Sequence, residues 1–242
     1  MQQRQTTAPD LSRAAREQLL RRSFMFSDID PDLLQQIASL SRIRRLDKGA
    51  VLFQQGDDGD ALYGVMAGLI CISISNDAGK ELTIAVLEPG DVFGEIALLD
   101  GLSRSASAYA AEDSILLAIE RSTFLELLER EPRIARHVIE LLCERLRANT
   151  DKLGEYAFMS LGARLAKRLH ALSIAHGRRG PDGVRIEVKF SQTDLAHMLG
   201  ATREAVNKQL RLLASQGLIQ LDQGYITIKD MARLSAMHHE RA

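Results

Sequence analysis

The chain changes its hydrophobic period as it runs. Between residues 43 and 119, the short apolar stretches Ala50–Phe53, Ala61–Met66, Leu69–Ile74, Leu82–Leu87 and Ser114–Ile119 alternate in part, with glycines at 49, 56, 59, 64, 68, 79, 90, 94 and 101 between or within them. Short strands recurring every ~8 to 12 residues with turn residues between them predict an antiparallel barrel or roll. Ahead of it, Leu11–Arg22 and Pro31–Leu40 read as helices, the second opening with proline at an early helical position after Asp30. From near Arg121 the period becomes helical and, past Pro132, continues without glycine to Gly154, which predicts one long helix.

Along that helix Ala135, Ile139, Leu142, Leu146, Asn149, Leu153 and Tyr156 recur at alternating spacings of four and three, flanked by charges. This is the narrow seam of a two-helix dimer, the alternative being a helix packed on its own domain. Asn149 interrupts the apolar seam. It either fixes register and oligomer state or, with Thr150, faces a ligand. Residues 157–160 then read as a hinge before a further helix, Leu161–His176.

Ser191-Gln-Thr-Asp194 has the spacing of a capping box and starts a short helix ending near Leu199. Gly200 permits a tight turn, and Thr202 caps a second helix. Val206, Leu210 and Leu213 form its inward stripe, with Arg203, Glu204, Asn207, Lys208 and Arg211 on the opposite face. Leu218–Leu221 and Tyr225–Ile228, joined by Asp222-Gln-Gly224, add a hairpin, so the layout is a winged helix-turn-helix. Exposed Arg203 suits the paired acceptors of guanine, Glu204 the amino group of cytosine, and Lys208 and Arg211 a further guanine or phosphates. Arg178, Arg179 and Lys189 suit the DNA backbone. A merely solvated charged face is the alternative.

Composition sharpens this division. The 242 residues, 45% apolar and 26% charged, suit a globular chain with more than one core. The net charge of −1 hides 13 basic against 7 acidic residues from Ser160 onward, and 18 against 25 before it. The basic part is therefore expected to meet a polyanion. The expected domains are residues 1–130, 131–159 and 160–242. The amino terminus lacks a hydrophobic signal region and no apolar run is long enough for a membrane helix, so a cytoplasmic protein without membrane contact is expected. Cys71 and Cys143 lack metal or disulfide spacing and read as buried apolar fillers.

Phe93-Gly-Glu-Ile-Ala-Leu-Leu-Asp-Gly-Leu-Ser-Arg-Ser-Ala106 sets a glycine-acid pair and an arginine-serine pair on either side of an apolar turn. That combination suits one small anion: Arg104 and the amide groups at the turn opening at Gly94 for a cyclic phosphodiester, Glu95 for a ribose hydroxyl. The alternative is a surface loop with a chance ion pair. Replacing Arg104 by leucine is expected to remove nucleotide response and leave the fold intact. No P-loop, metal-spaced histidine pair or nucleophile motif supports an enzyme.

Taken with Lys48-Gly-Ala-Val-Leu-Phe53, Gly56-Asp-Asp-Gly-Asp60, Pro89-Gly-Asp-Val-Phe-Gly-Glu95 and Thr202-Arg-Glu-Ala-Val-Asn-Lys208, the chain from about Phe24 to Lys229 resembles the CRP-FNR transcription regulators, in particular their cyclic-AMP-responsive branch. The resemblance implies an α+β architecture: a cyclic-nucleotide-binding β-roll, a long dimerisation helix and a carboxy-terminal winged helix-turn-helix. It implies a nucleotide site at Gly94, Glu95, Ile96, Ala97, Arg104 and Ser105, with Asn149 and Thr150 on the purine. It implies DNA contacts from Ser191, Gln192, Thr202, Arg203, Glu204, Asn207, Lys208 and Arg211. The implied partners are a double-stranded operator, a second copy of the chain and RNA polymerase, for which 177–183 is a candidate surface. The implied effector is cyclic AMP; cyclic GMP, cyclic di-GMP or no effector are the alternatives, and a kinase regulatory subunit is the competitor that would lack the recognition helix. No cysteine cluster precedes the roll, and the histidines lie at 137 and beyond 169, so neither an iron-sulfur cluster nor haem is expected.

Overall fold

The computed structural model describes residues 12–77 and 81–237; Leu11, Gly79 and the amino-terminal segment discussed above lie outside them. The chain divides into two compact units, one up to Lys80 and Ile84–Arg145, the other Glu81–Thr83 and Leu146 onward.

In the first unit, helices α1 (Arg13–Arg22) and α2 (Pro31–Leu40) flank a short 3₁₀ turn at Phe24–Phe26. Ser12 and Asp30 cap the two helices, with Pro31 at the first turn of α2. Eight strands follow: β1 (Arg42–Leu46), β2 (Val51–Phe53), β3 (Ala61–Ala67), β4 (Ile70–Ser75), β5 (Glu81–Leu87), β6 (Val92–Phe93), β7 (Ser107–Ala110) and β8 (Ser114–Glu120). They form two four-stranded sheets, in the orders β1-β8-β3-β6 and β2-β7-β4-β5.

Strand β3 explains why the alternation was only partial. Ala61, Tyr63 and Val65 face the roll interior with Ile70, Phe93, Ala108 and Leu116, whereas Leu62 joins a second core beneath the helices. That second core is built from Phe26, Leu34, Ile37, Leu117, Phe124 and Ile134. A strand buried on both faces reads as a continuous apolar run.

The apolar turn after Phe93 is a short helix, α3 (Glu95–Asp100), bounded by left-handed Gly94 and Gly101. The single helix expected from Arg121 is two: α4 (Arg121–Arg130) and α5 (Pro132–Phe158). Pro132 drives the preceding residue out of the helical region, and Glu131 has φ −131° and ψ 88°. Helix α5 continues through Gly154 into the segment read as a hinge. Cys71 is buried but Cys143 is exposed on α5, which corrects the expectation that both fill cores; its helix buries a face elsewhere, at Ile134, His137 and Val138.

In the second unit α6 (Leu161–His176), capped by Ser160, is followed by β9 (Gly177–Gly180) and β10 (Gly183–Ile186), then α7 (Gln192–Leu199), α8 (Arg203–Ser215), β11 (Ile219–Asp222), β12 (Tyr225–Ile228) and α9 (Met231–Ala236). The expected wing hairpin is half of a four-stranded sheet, β11-β12-β10-β9. Its tip closes over two residues, Gln223 and Gly224, both at positive φ, as a tight right-twisting hairpin requires.

Candidate effector site and DNA-reading surface

Within the first unit, three segments converge. The loop 56–60 is clipped to the segment around Arg104 by two backbone bonds, Gly56 N–H to Arg104 O at 2.9 Å and Arg104 N–H to Asp57 O at 2.7 Å. It also presses on α3: a Cβ on Gly59 would lie 2.5 Å from Ala97 Cβ. Gly94, at φ +88°, leaves room for Arg104, whose Nη1 would be 2.8 Å from a Cβ there.

Arg104 is 3% exposed. Its Nη1 donates to Gly94 O at 2.9 Å, and its Nη2 to Ala61 O at 2.8 Å and Asp60 Oδ1 at 3.0 Å. The guanidinium carbon lies 4.2 Å from the Phe53 ring centroid and 5.6 Å from that of Tyr63, which stacks on Phe93. Tyr63 donates to Asp60 Oδ1 at 3.2 Å. Burial, reinforced by the Asp60 charge, holds its hydroxyl pKa above the ordinary 10.0. Arg104 thus has a framework role as well as a charge. Its Nε is buried with no partner among protein atoms.

Glu95 is fully buried. One carboxylate oxygen accepts a short bond from Arg145 Nη1, and Arg145 Nη2 donates to Val92 O. The other oxygen, Oε2, is buried with no partner among protein atoms. A buried unpaired carboxylate oxygen is costly unless a donor fills it, and a ribose hydroxyl is such a donor. The residues therefore fit a cyclic nucleotide: an acceptor at Glu95, a cation at Arg104, an exposed hydroxyl residue at Ser105, and first-turn amide groups of α3 at Glu95, Ile96 and Ala97, which have no acceptor within a helix.

Arg145 was not singled out in the sequence. Four arginines lie on α5, at 133, 136, 145 and 147, and only the fold shows that 145 reaches the Glu95 carboxylate. Asn149 and Thr150 are exposed on the same helix, and the Thr150 hydroxyl donates back to Leu146 O at 3.0 Å.

In the second unit the helix-turn-helix is built as its capping residues specify. Ser191 and Asp194 make the reciprocal capping box, Gly200 is left-handed, and Thr202 Oγ1 accepts from Ala205 N–H at 3.2 Å. Leu195, Leu199, Val206, Leu210 and Leu213 are buried, which fixes the outward face of α8. Arg203, Glu204, Lys208 and Arg211 are exposed on that face. Asn207, expected beside them, is half-buried and its amide donates to Gln192 Oε1.

Beside the reading helix, the sheet carries further cations. Arg178 and Arg185 are paired across β9 and β10, and Tyr225 carries the Arg185 guanidinium at 3.9 Å and Lys189 Nζ at 4.6 Å from its ring centroid. Segment 177–183, the candidate polymerase surface, lies in the β9–β10 hairpin.

Two family models match the chain: the Cyclic nucleotide-binding domain over residues 43–131 and the Crp-like helix-turn-helix domain over residues 163–237. The chain belongs to the CRP-FNR family of transcription regulators. Among CRP-FNR relatives, it is 34% identical over 215 residues to the cyclic AMP receptor protein of Thermus thermophilus, covering 89% of this chain and 96% of that one. It is 26% identical over 219 residues to the CRP-like cAMP-activated global transcriptional regulator of Mycobacterium tuberculosis, covering 90% and 98%. Its fold matches the cyclic-di-GMP-responsive regulator CLP of Xanthomonas campestris with a TM-score of 0.76 at 24% identity, over 83% of this chain and 100% of that one. CRP-FNR membership accounts for the union of a nucleotide-binding roll with a DNA reader. Among the described residues there is no helix long and apolar enough to cross a membrane, and no group of three or more His, Cys, Asp or Glu side chains placed to hold a metal ion.

Proposed function

We propose that this regulator is a homodimer, located in the cytoplasm, whose affinity for a double-stranded operator is raised by cyclic AMP bound at Gly94, Glu95, Ile96, Ala97, Arg104 and Ser105. The observation that carries the reading is Glu95: a fully buried carboxylate with one oxygen committed to Arg145 and the other unpaired. The ribose 2′-hydroxyl supplies the missing donor. The cyclic phosphate competes for Arg104 with Asp60 and the carbonyls of Gly94 and Ala61, so nucleotide entry redistributes bonds at the centre of the roll. Asn149 and Thr150 are proposed as purine contacts on the strength of the resemblance alone.

The dimer reading is supported by the seam. Ile139, Leu146 and Leu153 are 61%, 68% and 69% exposed, whereas a helix packed on its own domain would bury them. We retain residues 1–130, 131–159 and 160–242 as the functional division: roll, dimer helix and DNA module. Arg203 and Glu204 read bases, and Lys208 and Arg211 meet a further guanine or the phosphates. Cations at Arg178, Arg179 and Lys189 contact phosphates. The β9–β10 hairpin is the proposed surface for RNA polymerase. No catalytic step is assigned to any residue.

The test is a DNA-binding titration of the intact protein with and without cyclic AMP, cyclic GMP and cyclic di-GMP, at two salt concentrations. Cyclic AMP is expected to raise DNA affinity about 5- to 150-fold, the range of ordinary allosteric coupling. A larger shift with another nucleotide, or none with any, overturns the effector assignment. A flat salt dependence overturns the phosphate contacts.

A further inference from the structure

The two helices of the DNA reader are tied by one side chain on their outer surface. Gln192, the first residue of α7, presents its Oε1 to two donors on α8: Asn207 Nδ2, in a short hydrogen bond, and Arg203 Nε at 3.5 Å. The order of this network is dictated by chemistry. A guanidinium is a donor only, so the atom of Gln192 that faces Arg203 is the oxygen, and the Asn207 atom sharing that oxygen is the amide nitrogen. Arg203 is exposed, while Gln192 and Asn207 are half-buried beneath it. An exposed arginine at the first position of a helix otherwise samples many rotamers, and fixing them at the moment of binding opposes association.

We infer that Gln192, held in place by Asn207, is a positioning residue that pre-orients Arg203 for guanine, with Nε turned back on the protein and the two terminal nitrogens left to meet the N7 and O6 acceptors end-on. Gln192 and Asn207 therefore set the base preference through Arg203. The inference rests on the reading of α8 as the recognition helix and assigns these two residues a different task from base or phosphate contact. The spacing of the pair matches the fold: residue 207 lies one turn beyond 203 on the same side of α8, and both reach the amino-terminal turn of α7.

The experiment uses the full-length protein with cyclic AMP and the duplex it selects from a randomised palindromic library. Base preference is then measured at each position for the parent, Arg203→Ala, Gln192→Leu, Gln192→Glu and Asn207→Asp. Arg203→Ala identifies the guanine that Arg203 reads. At that position alone Gln192→Leu is expected to lose about tenfold in preference, with the salt slope unchanged. Gln192→Glu keeps an acceptor oxygen for both donors and is expected to keep the preference, with a uniform fall in affinity from its charge. Asn207→Asp turns a donor into an acceptor, forces the Gln192 amide over, and is expected to lose the same preference as Gln192→Leu. Loss of preference with Arg203→Ala but not with Gln192→Leu overturns the inference and leaves the recognition helix standing, as does a uniform weakening at every position by Gln192→Leu. No positional change with Arg203→Ala overturns the reading of α8 and the inference with it.

Discussion

Arg104 and Asp60 are joined across 3.0 Å by a guanidinium that is almost wholly buried and a carboxylate that is mostly in solvent. The same guanidinium holds the carbonyls of Gly94 and Ala61. This changes what removing it should do.

Arg104→Leu was expected to spare the fold, but it removes the Arg104 donors from the buried Ala61 carbonyl and the half-buried Gly94 carbonyl. Each such loss costs about 1–3 kcal/mol, so the melting temperature of the roll should fall along with nucleotide response. Arg104→Lys separates the two effects: it retains the positive charge and loses the planar fork. We expect Arg104→Lys to remain folded by circular dichroism and to bind cyclic AMP at least tenfold more weakly by calorimetry. Unaltered affinity in that variant would remove Arg104 from the phosphate site.

Glu95 and Arg145 are coupled across the sequence by 50 positions. Removing Arg145 alone strands a buried carboxylate, so Arg145→Met should destabilise the protein more than Arg145→Met combined with Glu95→Gln. The double-mutant cycle, read by urea unfolding, is expected to give a coupling of about 1–3 kcal/mol, since Arg145 retains some solvent contact. Glu95→Gln alone should weaken cyclic AMP binding about tenfold through the weaker acceptor it offers the ribose hydroxyl. Additive effects of the two substitutions would deny the pair any linkage.

How much of this was legible in the sequence depends on whether the signal is local. The capping box at Ser191, the turn at Gly200 and the inward stripe of α8 are set by residues within a few positions of one another, and they fold as their spacing states. The break at Glu131 was equally local, in Pro132, yet the helical period on both sides concealed it. Strands β9 and β10 were illegible because Gly177-Arg-Arg-Gly180 has no apolar alternation and pairs as an exposed edge. Arg145 was illegible for a different reason. Nothing in its neighbourhood distinguishes it from Arg147, and only the position of Glu95 in the fold selects it. Asn207 was legible as a residue of the outward face, but only the fold shows that its amide is directed to Gln192.

Tyr63 supplies a pH test of the roll. Its folded pKa is raised above 10.0 by burial and by Asp60, while in the unfolded chain it titrates near the ordinary value. Below pH 10.0 both states hold the proton and its contribution is constant. Between that value and the folded pKa only the unfolded chain releases it, so stability falls as pH rises, and the fall ends once the folded group also ionises. Tyr63→Phe removes this contribution to the alkaline loss. The variant's stability, measured by urea unfolding from pH 8 to 11, is expected to show a shallower alkaline limb than the parent; an identical limb would place the alkaline sensitivity elsewhere.

The seam on α5 makes the sharpest demand on assembly. Leu146 and Leu153 stand on either side of Asn149 and are among the most exposed large apolar residues of the described chain. A charge at Leu146 would face its own copy across a parallel dimer, desolvated and unpaired, so Leu146→Asp should dissociate the protein to a monomer by analytical ultracentrifugation. That monomer should keep the secondary structure of the parent, because Leu146 contributes to neither buried core of the roll. A palindromic operator read by a two-fold dimer gains its affinity from both half-sites at once, so binding to the full site should fall to the level of a single half-site. Asn149→Leu acts in the opposite sense. An apolar seam residue strengthens helix association but removes the device that fixes register and strand number. The variant is expected to resist dissociation at dilutions where the parent separates, and to populate oligomers larger than a dimer. Strict dimerisation of Asn149→Leu at unchanged strength would show that Asn149 has no part in the seam, leaving ligand contact as its role.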